Sequence, residues 1–370
     1  MIKRIGLLTG GGDCPGLNAV IWAAVHAAER EGIEVFGIED GFEGLAAGGT
    51  VRPLRGEDVR NILGQGGTML GSTNRGNPFK YVSIVDGQEV IEDRGDEVVH
   101  TMQRLGLDGI ICIGGDGTLA IAEELIPRGA KVIGVPKTID NDLGATDTTF
   151  GFYTAVETAM EALDRLKTTG ESHDRVMILE VMGRNAGWIA LNSGMAGAAH
   201  VILIPEIPYK LDAVLDSIRR RWDEERRTFT LIVVAEGAHP AGGTTSVIDI
   251  GSAAHVPRVG GAALVLEAAL QHAFKHGWER PRGIPEVRTT VLGHIQRGGS
   301  PCAYDRLISL RFGAEAMALA AAGQWNRMVC LRGTEIQSVP LHDALGRLHL
   351  VDVDGQFVKH ARSAGICLGD

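Results

Sequence analysis

What this chain of 370 residues lacks narrows its function first. No apolar run approaches the roughly 18 residues of a membrane-spanning helix, so a membrane protein is not expected. The opening "MIKRIGLLTGGGD" has too short an apolar run for a secretory signal and leads directly into a strand-like pattern. Cysteine is sparse. Cys14, Cys112, Cys302, Cys330 and Cys367 show no CxxC spacing, which argues against a zinc site and a disulfide framework and predicts a reducing, cytoplasmic setting. Basic charge is also short: 36 Lys and Arg stand against 46 Asp and Glu, a formal net charge of −10. A nucleic-acid backbone selects the opposite balance, so no nucleic-acid partner is expected, although a local basic pocket stays open. Low-complexity linkers and short-period repeats are missing as well.

The material that is present describes a folded α/β protein. Apolar residues make up 44% and charged residues 22%, an ordinary globular balance. The length predicts two domains, at about 100 to 200 residues each. Ile- and Val-rich runs alternate with helical patterns, the sequence form of parallel sheets covered on both faces. "RIGLLT" precedes a glycine turn and a helix from about Pro15 to Glu31, and "DGIICI" precedes "GGDGT" and a helix through Leu125. Further strands are predicted over 131–135, 175–181, 201–204, 229–235, 287–292 and 327–331. "LDAVLDSIRRRWDEERRTF" reads as an amphipathic helix with a solvated charged face.

Two glycine-rich loops stand where open α/β sheets bind ligands, beyond the carboxyl ends of strands. In "TGGGDCPGLN", Gly10, Gly11 and Gly12 let backbone N–H groups approach a phosphate, with a helix dipole behind them; a plain strand-to-helix turn is the alternative. "GGDGT" puts Asp116 among Gly114, Gly115, Gly117 and Thr118. A carboxylate repels phosphate, so Asp116 is either a helix N-cap or a Mg²⁺ ligand. Neither loop fits GxGxxG or GxxxxGK[ST]. Glu39 and Asp40, after the second strand, keep a dinucleotide-binding alternative open.

"VIGVPKTIDNDLGATDTTFGF", Val132 to Phe152, carries carboxylates where its strand should stop. If the chain stays extended, Thr138, Asp140 and Asp142 face one side and Lys137 and Asn141 the other. That supplies a base, a hydroxyl and a cation together, as phosphoryl transfer requires; an Asx-turn-rich loop is the plainer alternative. Arg175, Arg184, Arg288, His294 and Arg297 follow at strand ends and together favour a phosphate pocket.

In order and spacing, "GGGDCPGLNAVI", "IGGDGT", "PKTIDND", "FGFYTA", "EVMGRNAGWIA", "PEIP", "AEG" and "VLGHIQRGGSPCAYDR" resemble the 6-phosphofructokinase family of bacterial type, from about residue 2 to about 320. The last fifty residues resemble it less. The resemblance implies two Rossmann-like three-layer α/β/α domains with mainly parallel sheets: a phosphoryl-donor domain over 1–151 and 296–346, and a fructose 6-phosphate domain over 152–295 and 347–370. It implies ATP and Mg²⁺ as donor and metal. Asp140 would be the catalytic base, aided by Thr138, Asp142 and Arg184, and Asp116 the magnesium-associated acid. Gly12, Gly115, Asp116, Gly117 and Thr118 would form the donor loops. Arg75 would touch phosphate, although "LGSTNRGNPF" shifts it by a residue or two. The sugar phosphate would meet Thr138, Asp140, Met182, Gly183, Arg184, Glu236, His294 and Arg297, while Arg175 and Arg288 would reach in from a neighbouring subunit of a homotetramer. Trp22 and His26 replace the first-helix arginines of strongly regulated relatives, which predicts weak effector control. Gly117 and Lys137 are mixed donor signals, since pyrophosphate users carry an acid at the first and lysine at the second. Gly117 leaves room for a nucleotide, so ATP is expected, with pyrophosphate as the rival. An NAD or lipid kinase sharing the GGDGT loop is more distant, and a silent paralogue is disfavoured because Asp116 and Asp140 are both present.

Overall fold

The computed structural model describes residues 2–46, 49–73, 76–85, 88–223, 228–248, 258–278 and 283–370. Two compact units emerge. One comprises Met1–Ile139, Leu143–Thr154 and Arg297–Leu348; the other comprises Asp140–Asp142, Ala155–Gln296 and His349–Asp370. Asp140–Asp142 thus belong to the second unit while the residues on either side of them belong to the first.

The first unit is built on a seven-stranded sheet ordered Glu335–Pro340, Arg327–Arg332, Val132–Pro136, Gly109–Gly114, Arg4–Thr9, Glu34–Ile38 and Val51–Leu54. Its four inner pairings are parallel and its two outermost are antiparallel. All six residues of "GIICIG" are buried, as a strand covered on both faces requires. Leu8, Ile110, Cys112 and Val132 share a core with Val98 and Met102 of the helix Gly95–Arg104 and with Leu119 and Leu125 of the helix Asp116–Leu125. Leu17–Glu31 and Ala303–Ala321 pack extensively on each other, and the latter lies on the central strands. The first helix begins at Leu17 rather than Pro15, because Gly16 takes a left-handed conformation at φ 115°.

The second unit has a fully parallel sheet, ordered Glu286–Val291, Arg175–Val181, Thr230–Ala235 and Val201–Leu203. Alternate residues feed opposite faces. Val176, Ile178, Ile232 and Val234 join Val214, Ile218, Leu266 and Leu270 from the helices Leu211–Asp223 and Ala262–Gly277. Met177 and Leu231 turn the other way, toward Leu166 of the helix Phe152–His173. Both units are therefore three-layer α/β/α, in keeping with the expected class. The charged helix departs from expectation at Arg221, which is buried and directs its guanidinium at the Phe229 carbonyl. No helix among the described residues is long and apolar enough to cross a membrane.

His200 shows how tightly the second unit controls a titratable group. Its Nδ1 accepts the Leu231 N–H at 2.9 Å. Burial, reinforced by Arg221 and Lys167, pushes its pKa down to about 3. Unfolded, the ring titrates near 6.5, so this stabilisation is fully present above about pH 6.5 and declines as pH falls, by at most about 1.4 kcal/mol per unit. His200→Asn keeps an acceptor for the amide without the titration. Chemical denaturation between pH 7 and 5 should show a flatter decline in the variant, and an equal slope would refute the account.

Candidate active site

In the first unit, the three glycines after Arg4–Thr9 turn out to have different jobs. The Gly10 N–H donates to the Ile113 carbonyl at 3.0 Å and the Gly11 N–H to the Thr73 carbonyl at 3.1 Å, so neither remains for a ligand. Of the three, only the Gly12 N–H donates to no described residue. Packing explains Gly10, where an added Cβ would lie 2.7 Å from the Thr118 side chain. Nor does the first helix follow the loop directly, since Asp13 to Gly16 intervene. The loop is pinned from outside. Asn18 donates to the Gln65 and Gly66 carbonyls, both at 3.2 Å, and accepts the Met69 N–H at 2.8 Å. Thr9 Oγ1 holds the Gly71 carbonyl at 2.6 Å. Sequence reasoning missed Asn18, whose only signal was a polar residue in an apolar helix face.

The second loop does open a helix. Gly115 is the N-cap of Asp116–Leu125 and Asp116 its exposed first residue, so the fold does not use Asp116 as a cap. Gly117 and Thr118 line a cavity of about 220 Å³ with Gly10, Gly11 and Thr73. Gly117 has ordinary backbone geometry, and a Cβ added there meets nothing within 4 Å. Neither packing nor conformation therefore requires a glycine. Asn74 and Arg75 lie outside the described residues.

The carboxylate-rich stretch does not stay extended, contrary to the expectation from sequence; it bends at Ile139 and Asp140, and Asn141 is left-handed at φ 53°. Asparagine tolerates that conformation better than most residues. Burial still alternates, with Lys137, Ile139 and Asn141 buried and Thr138, Asp140 and Asp142 half-buried. Lys137 is 3% exposed, and its Nζ donates to the Gly12 carbonyl. Arg297 reaches the same loop, its Nη1 donating to the Asp13 carbonyl at 3.3 Å. Arg297 was expected with the sugar-phosphate cations, but in the fold it stands over the glycine loop of the first unit. Burial pushes the Cys14 thiol up to about 12, against the pull of Lys137 and Arg297, so Cys14 is no nucleophile.

In the second unit, Met182, Gly183 and Arg184 follow Arg175–Val181, Glu236 follows Thr230–Ala235, and His294 follows Glu286–Val291. These are carboxyl ends of adjacent parallel strands. The Glu236 N–H binds the Val181 carbonyl at 2.9 Å, and the Gly237 N–H binds the Gly183 carbonyl at 3.1 Å. Gly183 sits at φ 133°, and an added Cβ would lie 2.6 Å from the Ala186 carbonyl oxygen. Gln296, fully buried and not anticipated, accepts the Met182 N–H at 3.2 Å and donates to the Gly293 carbonyl at 3.0 Å. Arg184 and His294 are left exposed.

Arg175 and Arg288 do not join them. Arg175 opens its strand and pairs in register with Glu286, which opens the next, while Arg288 pairs with Met177 two residues further in. The seven residues of Arg175–Val181 span about 20 Å, so the basic set is divided along the strands, Arg175 and Arg288 toward their amino ends and Arg184 and His294 beyond their carboxyl ends. Glu286 holds both arginines, Arg175 Nε at 2.5 Å through one oxygen and Arg288 Nη2 through the other.

Among the described residues no three His, Cys, Asp or Glu side chains gather to cage a metal. Asp116 suits a hard cation that keeps its waters and takes its remaining ligands from a phosphate. On the first helix, Trp22 and His26 meet edge-on with ring centroids 4.3 Å apart, and both line a cavity of about 600 Å³ between that helix and Ala303–Ala321.

Glycine loops and polar residues beyond the carboxyl ends of parallel strands are the places where α/β proteins bind their ligands. Residues 4–320 match the phosphofructokinase family model, and the chain belongs to that family. It is 48% identical over 370 residues to an ATP-dependent 6-phosphofructokinase of Chloroflexus aurantiacus, covering all of this chain and 98% of that one. It is 47% identical over 358 residues to a pyrophosphate–fructose 6-phosphate 1-phosphotransferase of Amycolatopsis mediterranei, covering 95% of this chain and 97% of that one. A crystal structure of Pichia pastoris phosphofructokinase superposes with a TM-score of 0.77 at 28% identity; the match covers 99% of this chain and only 37% of that longer one.

Lys137→Met tests the buried tie to the glycine loop. With the Gly12 carbonyl left without that donor, denaturant unfolding should show a loss of about 1–3 kcal/mol. A loss below about 0.5 kcal/mol would mean that the ammonium adds nothing to stability.

Proposed function

We propose that this protein is an ATP-dependent 6-phosphofructokinase, transferring the γ-phosphoryl group of ATP to the 1-hydroxyl of fructose 6-phosphate to give fructose 1,6-bisphosphate and ADP, a step of glycolysis. The 48% identity to an ATP-dependent relative along the whole chain carries the reaction. Relatives named for pyrophosphate are almost as similar, so the donor rests on Gly117. A carboxylate there would project into the cavity and repel a nucleotide phosphate, whereas glycine leaves the cavity open.

In this reading Asp140 takes the proton of the sugar 1-hydroxyl, whose oxygen bonds to the γ-phosphorus as the bond to the bridging oxygen breaks and the electron pair leaves with ADP. Thr138 and Asp142 orient the acceptor. Gly12, Gly115, Gly117 and Thr118 present the donor loops, with Arg75 as a further phosphate contact. Met182, Gly183, Arg184, Glu236 and His294 bind the sugar phosphate. Asp116 would hold Mg²⁺, which supplies charge neutralisation on the donor phosphates when bound. Arg175 and Arg288, at the far edge of the sheet, fit a site completed by a neighbouring subunit of a homotetramer. Five free thiols suit a cytoplasmic enzyme.

Asp140→Asn should fold normally and lose about 10² to 10⁴ in kcat; retention of half the wild-type turnover would remove Asp140 from the base role. The donor is tested by comparing Mg-ATP with pyrophosphate on wild type and Gly117→Asp. The variant should keep its thermal stability and lose about 10- to 100-fold in kcat/KM for ATP, about 1.4 to 2.7 kcal/mol of transition-state binding. Wild-type enzyme turning over faster with pyrophosphate would overturn the donor assignment and leave the sugar substrate untouched.

A further inference from the structure

The C-terminal fifty residues lie beyond the stretch the family model matches, although the alignment with the Chloroflexus aurantiacus relative includes them. Part of this segment is nevertheless bound to the backbone beside Asp140. The His349 N–H donates to the Asp142 carbonyl at 2.8 Å, and His349 Nδ1 lies 3.0 Å from the Asn141 carbonyl oxygen. A carbonyl only accepts, so Nδ1 carries the hydrogen in this contact. One residue thereby holds two successive carbonyls of a turn that contains a left-handed asparagine.

His349 is in turn held. Trp188 Nε1 donates to its carbonyl at 2.8 Å, and the indole lies against the imidazole with centroids 4.9 Å apart and planes 32° apart. Two residues on, the Val351 N–H donates at 2.9 Å to Glu206, whose carboxylate also receives the Gly187 N–H at 3.0 Å, at the start of the helix Trp188–Ala196. The clamp is thus anchored on a helix rather than on a free tail.

We infer that His349 is a positioning residue for the reaction: by fixing the Asn141 and Asp142 carbonyls it sets the direction of the Asp140 carboxylate. It touches no reacting atom. The inference rests on the phosphofructokinase reading, because it assigns Asp140 the base role. Misplacing a catalytic group by about 1 Å can cost about 100-fold in rate. The expected signature is a loss in kcat with little change in substrate affinity, since the donor loops and Arg184 are not held by His349.

The test compares wild type with His349→Ala, His349→Asn and His349→Gln. It measures kcat, KM for fructose 6-phosphate and for ATP, and hydrogen exchange across residues 138–143. Alanine should lower kcat about tenfold or more, keep both KM values within about twofold and speed exchange in that segment. Asparagine places its amide nitrogen where Nδ1 stood and should restore kcat to within about threefold, while glutamine, whose amide reaches toward the Nε2 position, should not. Unchanged kcat or unchanged exchange in the alanine variant would overturn the inference, as would an asparagine variant no better than alanine. Wild type inactive on fructose 6-phosphate would instead sink the functional reading, and the exchange comparison would still decide whether His349 orders the turn.

Discussion

The first unit depends on a buried cation. Lys137 leaves the strand Val132–Pro136 with its ammonium out of water and directed at the Gly12 carbonyl. Burying an ammonium costs several kcal/mol unless polar groups replace its water. The fold meets that cost by wrapping the glycine loop over it. The loop can comply because Gly10 and Gly11 have committed their N–H groups to neighbouring carbonyls, and Asn18 braces the outer segment 65–69. One electrostatic demand therefore shapes two loops that lie more than a hundred residues apart in sequence.

The second unit uses carboxylates in the same spirit. Glu180 is 4% exposed and accepts the N–H groups of Gly261 and Ala263 at the start of Ala262–Gly277. Glu206 receives Gly187 at the start of another helix and Val351 from the C-terminal segment. Each acid sits where a helix leaves N–H groups unsatisfied and its dipole favours negative charge. The sheet supplies the positions, and these acids, one buried and one half-buried, lock the helices to them.

Much of this was legible in the sequence. Parallel strands are apolar on both faces, so "GIICIG" and "RVMILEV" announced themselves, and Arg175–Val181 has the bounds expected. The antiparallel margins were not legible. Val51–Leu54 contains Pro53 and Glu335–Pro340 is half-exposed, so neither carries the apolar signal of a buried strand. The hairpin Tyr81–Val85 with Gln88–Glu92 leaves Val82, Ile84 and Ile91 in solvent, a pattern that imitates no core element. At the candidate site, sequence located residues at the ends of strands but not which way they face. That Gly12 alone of its triplet donates to no described residue, that Arg221 turns inward, and that Asn141 turns left-handed are set by tertiary partners.

The length of one strand acts as a ruler. Arg175 starts its strand, Arg288 is the third residue of the neighbouring one, and Arg184 follows the far end of the strand of about 20 Å that Arg175 opens. Glu286 lies beside both arginines of the amino end and takes up their charge. A ligand phosphate reaching Arg175 or Arg288 would therefore compete with a carboxylate already in place, and binding there would carry the cost of displacing it.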